Sequence, residues 1–514
     1  MLGEILERNA RRYPDKTAIV FQTNRLTFSD LNERVNRLAN ALADLGVSKG
    51  DRAAIVADTC PQHIETFCAG IKAGIATTML NPGLSPQELI YLINNAELNT
   101  VVLGENYKGL IDSLRPELGS VKNFIIMGDP QNDMKGYDEL INHSSPSEPL
   151  VQTKDDDLLF LACSGGTTGL PKQIMHTYRS ITDIMLNAVW AYRVEHDDIF
   201  LFATAPFWGM TIQLLVLPHF YMGCPVVMLK DPTPKSFLET VQHEKITNSF
   251  FGSPFLPPLL DCPDLRGFDH SSLRRIVVAG TPLSVEVWQR AVKTFGKIFV
   301  QLYGSSELPP ITFLLPEDFV VEGPPEKVNR LRSCGKEALN TQVRVVNERG
   351  QDVSPGEVGE VIAKSKSLMA GYWKAPKATE EAMRGAYFYT GDMGTIDKEG
   401  YVYLVGRRKD VITSRGKMLS PAEIEDIIYR HPDVQEVAVI GVPDEELGEA
   451  VKAVIILRSG KKATQSDIIG LCQEYLPPDA VPQSVDFVTS LPKSPVGKIL
   501  KHKLREKYST PAFL

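Results

Sequence analysis

Apolar residues recur along the chain in two rhythms. Leu31, Val35, Leu38, Leu42 and Leu45 fall three or four residues apart, which is one face of a helix; Ser29 can cap its start and Gly46 its end. Short apolar runs at 53–57, 100–103, 124–127, 158–162, 275–279 and 299–303 read instead as buried strands. Strands separated by helical patterns predict an α/β fold of layered sheets with largely parallel strands. Polar stretches at 128–157 and 316–334 read as breaks. Beyond the second break, runs at 342–346 and 359–363 predict a small β-rich part. After Asp410, strands at 437–440 and 453–457 accompany helical patterns at 422–429 and 465–475, so this end reads as a separate α+β region.

Length adds that 514 residues exceed one small core and divide into two or more domains. Apolar residues at 43% and charged residues at 23% are ordinary for a soluble globular protein, and a net charge of −8 gives no bulk attraction to nucleic acid. Seven scattered cysteines show no metal-ligand spacing and no disulfide framework, which fits a reducing cytoplasm. Charges enter the amphipathic segment at Met1-Leu2-Gly3-Glu4 at once, so no signal peptide is expected. The most apolar long stretch, 212–229, is interrupted by Pro218, His219 and Pro225 and is not expected to span a bilayer.

The strongest chemistry lies in Ser164-Gly165-Gly166-Thr167-Thr168-Gly169-Leu170-Pro171-Lys172. Glycines let successive N–H groups turn inward as an anion nest, three hydroxyls add donors, and Lys172 adds positive charge, which makes a cradle for a polyphosphate. No Gly-Lys-Ser/Thr follows, so this is not a Walker loop. An apolar run enters it and 173–175 looks extended, which predicts strand–loop–strand. Alone, such a stretch also fits a Gly/Thr-rich surface turn.

It is not alone. Tyr303-Gly304-Ser305-Ser306-Glu307, Tyr389-Thr390-Gly391-Asp392, Gly406-Arg407-Arg408-Lys409-Asp410 and Lys493-Ser494-Pro495-Val496-Gly497-Lys498 follow in order. Over nearly its whole length the chain resembles the adenylate-forming superfamily, which includes AMP-forming acyl-CoA synthetases (acid:CoA ligases), luciferases and peptide-synthetase adenylation domains. The resemblance implies a large N-terminal domain, 1–408, of layered α/β subdomains with a small β-barrel-like subdomain. A small mobile C-terminal lid, 409–514, would follow. It implies ATP, Mg2+ and coenzyme A as cofactors. A carboxylate attacks the α-phosphorus of ATP, giving acyl-adenylate and pyrophosphate, and a thiol then displaces AMP.

By the same resemblance, Ser164, Gly165, Gly166, Thr167, Thr168, Gly169 and Lys172 hold the phosphates, with Thr167 and Lys172 counted as catalytic. A carboxylate beside a triphosphate needs a cation between them, so Glu307 is expected to bind magnesium, joined by Thr168. Tyr303 offers a face for adenine, next to Gly304, Ser305 and Ser306, and Gly280-Thr281-Pro282 resembles the adenine-side loop. The two oxygens of Asp392 match the ribose diol, with Arg407 at the same sugar. Lys498 offsets charge in the adenylation transition state. Lys409 matches the hinge, and Gly416 the approach of pantetheine. As ordinary surface features, the same residues would be turns, ion pairs and a solvated basic tail.

Phe207, Trp208, Gly209 and Met210, with Phe251, Gly280 and Gly304, are the expected acyl pocket; Gly209 stands where many relatives carry His, and Tyr178 is a second departure from a frequent His. No Asp for an α-ammonium occurs in these segments, so the pocket suits an apolar aliphatic or aromatic small-molecule monocarboxylic acid. No carrier domain is expected after the lysine loop and no obvious insertion precedes the hinge, which favours CoA as the expected acceptor. A stand-alone acyl-AMP enzyme serving a carrier protein or an amine is the alternative, and a luciferase-like oxygenase is a third. Dimers are common among relatives, which leaves a homodimer open.

Overall fold

The computed structural model describes residues 1–130, 133–164, 171–444, 446–493 and 499–509. The chain divides into two compact units, one of Met1–Gln342 with Lys364–Ala386, the other of Val343–Ala363 with Tyr387–Leu514. The β-rich segments around 343–363 and 387–407 thus group with the C-terminal region, so Lys409 lies within the second unit.

Two large sheets build the first unit. One runs in the order Lys336–Glu337, Thr312–Leu314, Phe299–Tyr303, Arg275–Ala279, Asn248–Gly252, Phe200–Phe202, Val226–Met228, Thr17–Phe21 and Asn24–Thr27. Its six central strands are parallel, as expected where helices cover both faces. The other runs Gly371–Tyr372, Gln173–Thr177, Leu158–Cys163, Ala76–Leu80, Arg52–Val56, Thr100–Gly104, Asn123–Met127 and Lys135–Gly136. Here Gln173–Thr177 pairs antiparallel with Leu158–Cys163, so the glycine-rich stretch does join two strands.

Two expectations change. The first long helix is Phe28–Asp44 and its cap is Thr27, not Ser29. Thr27 Oγ1 accepts from the Asp30 N–H while the Asp30 carboxylate accepts from the Thr27 N–H at 2.9 Å, a reciprocal box that outbids a lone serine. The stretch 128–157 is no mere break, because its described part holds the edge strand Lys135–Gly136 and the helix Tyr137–His143. Tyr137 is buried and its hydroxyl donates to Glu65 Oε2 at 2.7 Å. Glu148 closes on the buried Lys72 ammonium at 2.6 Å.

In the second unit, Thr341–Val346, Gly359–Ser365, Tyr387–Ile396 and Val402–Arg407 pair in that order around the predicted β-rich part. A further sheet runs Lys417–Leu419, Ile412–Ser414, Gly448–Leu457, Val434–Asp444, with Ser484–Phe487 beside Gly448–Leu457. Side chains alternate across it. Val437 and Val439 pack with Ile424, Ile428, Ile468 and Cys472 of the helices Pro421–Tyr429 and Gln465–Tyr475. Ala438 and Ile440 pack on the other face with Leu504 of the helix Lys501–Ser509.

Candidate active site

Four parallel strands, Phe200–Phe202, Asn248–Gly252, Arg275–Ala279 and Phe299–Tyr303, are neighbours, and all but Asn248–Gly252 lead from their carboxyl ends into a segment singled out by the sequence. That edge of a parallel sheet is where ligands bind in open α/β folds. Their adjacency brings together the Phe207–Met210 segment, Gly280-Thr281-Pro282 and the Tyr303–Glu307 loop. Ser253 ties two of these loops, its hydroxyl donating to the Ala279 carbonyl at 3.1 Å and accepting from the Thr281 N–H at 3.3 Å.

The loop after Tyr303 turns back at once, with the Ile311 N–H on the Tyr303 carbonyl at 2.8 Å and the Ser305 N–H on the Leu308 carbonyl at 3.3 Å. Glycine fits position 304 closely: a Cβ there would lie 3.0 Å from the Leu308 carbonyl oxygen, a backbone atom, so the turn would have to give by a few tenths of an ångström. Gly209 has φ +57°, a left-handed conformation, and a Cβ there would meet only Ser306 Oγ at 3.6 Å. Trp208 beside it is 47% exposed, while Met210 is buried. Phe251 is corrected: it is 1% exposed and packs against Phe237 and Phe255, so it belongs to the core. Its neighbour Phe250, half-buried on the opposite face of the strand, takes the outward position.

Of the glycine-rich cradle, Gly165, Gly166, Thr167, Thr168 and Gly169 lie outside the described residues, and its two ends are placed. The Ser164 N–H donates to the Lys172 carbonyl at 2.8 Å and the Lys172 N–H to Ser164 Oγ at 2.9 Å, which clamps the neck of the hairpin. The Lys172 ammonium sits 4.6 Å from the centre of the Tyr372 ring. Tyr372 in turn donates its hydroxyl to Glu307 Oε1 at 2.9 Å. Among the described residues, no three His, Cys, Asp or Glu side chains gather to hold a metal ion. A cation at Glu307 Oε2 would complete its shell with substrate oxygens and water, and that hard, oxygen-only set fits Mg2+.

In the second unit, Asp392 and Arg407 face each other across an antiparallel ladder, with Arg407 Nε 2.9 Å from Asp392 Oδ1. Arg407 also donates to the Thr390 carbonyl at 3.0 Å. Lys409 is exposed in the turn that follows, where the Asp410 and Val411 N–H groups both return to the Arg407 carbonyl at 2.7 and 2.8 Å. Ion pairs flank this turn, Arg408–Glu360 at 3.2 Å and Arg505–Asp410 at 2.6 Å. Arg415 and Gly416, φ +51° and +74°, form the two-residue turn between Ile412–Ser414 and Lys417–Leu419. Lys498 lies outside the described residues; Lys493 and Ile499 form an antiparallel bridge. Two lysines of the basic end are paired, Lys493 with Glu436 at 2.8 Å and Lys501 with Glu425 at 2.7 Å.

Set beside known proteins, residues 6–373 match the AMP-binding enzyme family and residues 423–498 its C-terminal domain. The chain belongs to the AMP-binding enzyme family. Within the adenylate-forming superfamily its place is with the acyl-CoA synthetases. It is 31% identical to a long-chain-fatty-acid–CoA ligase of Bacillus subtilis, covering 98% of this chain and 94% of that one. It is equally 31% identical to a feruloyl-CoA synthase of Amycolatopsis, covering 99% of both. Among solved structures, the amide bond synthetase McbA of Marinactinospora thermotolerans superposes with a TM-score of 0.89 at 26% identity, covering 99% of this chain and 100% of that one. The anthranilate CoA ligase AuaEII, in complex with anthranoyl-AMP, gives 0.89 and 26%, covering 99% and 97%.

This AMP-binding enzyme holds its loops with residues that the sequence patterns did not mark. His176 is buried in Gln173–Thr177, and its Nε2 lies 2.8 Å from the Ser306 carbonyl. A carbonyl only accepts, so Nε2 carries the hydrogen. Burial lowers the His176 pKa from 6.5 to about 4, keeping the ring neutral. The segment 369–373 supplies the Met369 N–H to the Glu307 carbonyl, the Ala370 N–H to Met175 and the Trp373 N–H to Gln173, all at 2.8 Å. A buried polar residue inside a strand was the available signal for His176; nothing local announced Tyr372. Tyr178 is also buried, donating to the Ile71 carbonyl at 2.7 Å, so it serves packing. No helix among the described residues is long and apolar enough to cross a membrane.

Proposed function

We propose that this enzyme activates an apolar monocarboxylic acid as its acyl-adenylate and transfers the acyl group to coenzyme A. The observation carrying this reading is the meeting of Lys172 and Glu307 at Tyr372, which sets a cation and a carboxylate at the neck of a glycine-rich hairpin. A cation to bind phosphate and a carboxylate to bind the counter-ion of phosphate are what nucleotide activation requires.

In this reading Ser164, the 165–169 loop and Lys172 hold the β and γ phosphates, and Glu307 with Thr168 holds Mg2+. When bound, that ion neutralises phosphate charge and orients the leaving pyrophosphate. Tyr303, Gly304, Ser305 and Ser306 with Gly280-Thr281-Pro282 receive the adenine, Asp392 and Arg407 the ribose. Lys498 bridges the carboxylate and the α-phosphate in the first step. Rotation of 409–514 at Lys409 then withdraws it and brings the Arg415-Gly416 turn to the pantetheine arm. AMP is a good leaving group and its departing phosphate can take up the thiol proton, so no dedicated base is assigned to the thiol step. The exposed Trp208 beside Gly209 and the half-buried Phe207 suit a flat or aliphatic acid.

Transfer to an amine is the second reading, favoured by the close structural likeness to an amide bond synthetase. Pyrophosphate release from ATP, measured across a panel of carboxylic acids with and without CoA, separates the two. Acid-dependent release and a thioester product support the ligase. Release that ignores CoA but yields amides with added amines supports the second reading, and no acid-dependent release overturns both.

A further inference from the structure

We infer that Tyr372 is a positioning residue that aims Glu307 at the metal–phosphate end of the site; the inference rests on the metal role proposed for Glu307. Among the described residues, three contacts from outside its own loop hold the Ser306-Glu307 pair. His176 Nε2 binds the Ser306 carbonyl at 2.8 Å, the Met369 N–H binds the Glu307 carbonyl at 2.8 Å, and the Tyr372 hydroxyl binds Glu307 Oε1 at 2.9 Å. The first two fix the backbone, and only the third acts on the carboxylate. With Oε1 engaged, the carboxylate presents Oε2 in one orientation, so a divalent cation meets a preset ligand instead of a rotating side chain.

The Tyr372 backbone is itself constrained. Gly371–Tyr372 pairs antiparallel with Met175 and Ile174 of the phosphate hairpin, and the Tyr372 N–H donates to Thr379 Oγ1 at 2.9 Å. A single side chain therefore touches both charges of the site, the Lys172 ammonium through its ring and Glu307 through its hydroxyl. Phe at 372 keeps the ring under Lys172 and removes the hydroxyl that bonds Glu307, which tests the proposed role.

The test is a cycle of full-length wild type, Tyr372→Phe, Glu307→Gln and the double variant. Binding of Mg2+·ATP is followed by calorimetry, and ATP–pyrophosphate exchange is followed against Mg2+ concentration. Tyr372→Phe is expected to raise the Mg2+ concentration for half-maximal binding roughly tenfold, the scale set by losing a partner of a metal ligand. Its affinity for ATP without Mg2+ should match wild type, which a merely structural defect would not spare. In the Glu307→Gln background the same change should do nothing further. Equal Mg2+ dependence in wild type and Tyr372→Phe overturns the inference while leaving Glu307 as a ligand. Unaltered Mg2+ dependence in Glu307→Gln overturns the metal role itself. Should Tyr372→Phe fail to fold, Tyr372→Leu, which also removes the hydroxyl, takes its place in the cycle with the same outcomes.

Discussion

The Glu307 loop and the Asp392–Arg407 ladder each carry a carboxylate assigned to the nucleotide, yet they are built in opposite ways. Asp392 sits inside a ten-residue strand, and its partner arrives by ordinary antiparallel register. Glu307 sits in an irregular turn held by His176 and Tyr372, which are 131 and 65 positions away in the chain (307 − 176 and 372 − 307). A ladder spreads its support over many backbone bonds, whereas the turn concentrates it in a few side chains. Point substitutions should therefore act on Asp392 through chemistry alone, and on Glu307 through both chemistry and support.

The largest effect expected sits outside both regions. Lys498→Ala should lower acid-dependent ATP–pyrophosphate exchange by on the order of a hundredfold or more, the scale of losing a group that stabilises transition-state charge. Thioester formation from supplied acyl-adenylate should persist, and equal loss in both half-reactions would count against the lid assignment. Next, Asp392→Ala should raise KM for ATP by roughly ten- to a hundredfold, since hydrogen bonds to a charged acceptor contribute about 1.5–3 kcal/mol. Discrimination between ATP and 2′-deoxy-ATP should shrink with it, while the melting temperature stays close to wild type because the ladder's backbone bonds remain.

His176→Leu probes the other kind of support. It leaves the Ser306 carbonyl without its donor and should cost about 1–3 kcal/mol in urea denaturation. The pH dependence sharpens this. Burial lowers His63, His176 and His219 from 6.5 to about 4 in the folded chain, so the unfolded chain binds protons first as pH falls. Their contribution is whole above about pH 6.5 and is lost toward pH 4, by about 1.4 kcal/mol per pH unit for each ring. His176→Leu should remove one ring's share of that slope, and a slope equal to wild type would show that His176 is not held neutral. The smallest effect is Gly209→Ala, expected to cost about 1–2 kcal/mol through its left-handed backbone. Ser306 Oγ gives ordinary room for the methyl, so any change in preference among acids reports on the pocket and not on a clash.

Much of this architecture was legible without coordinates because its determinants are local. Arg275–Ala279, Phe299–Tyr303 and Gln465–Tyr475 follow from runs and periodicities a few residues long. The strand–loop–strand setting of the hairpin follows from glycine content and flanking apolar runs. Thr27 caps the first long helix in place of Ser29 because capping depends on a reciprocal bond with Asp30, not on residue type alone. Phe251 faces the core and not the expected pocket, because two adjacent phenylalanines in a strand look alike until the register assigns one to the core.

By itself the sequence determined the family, the order of the chemical segments and which residue types could meet a nucleotide, since these depend on short stretches of chain. Only the tertiary structure decided which strand ends lie side by side, that Tyr372 joins Lys172 to Glu307, and that His176 braces Ser306. Such contacts unite residues from different sheets, and a side chain's partner across a sheet edge is set by packing and register, which no local spacing encodes.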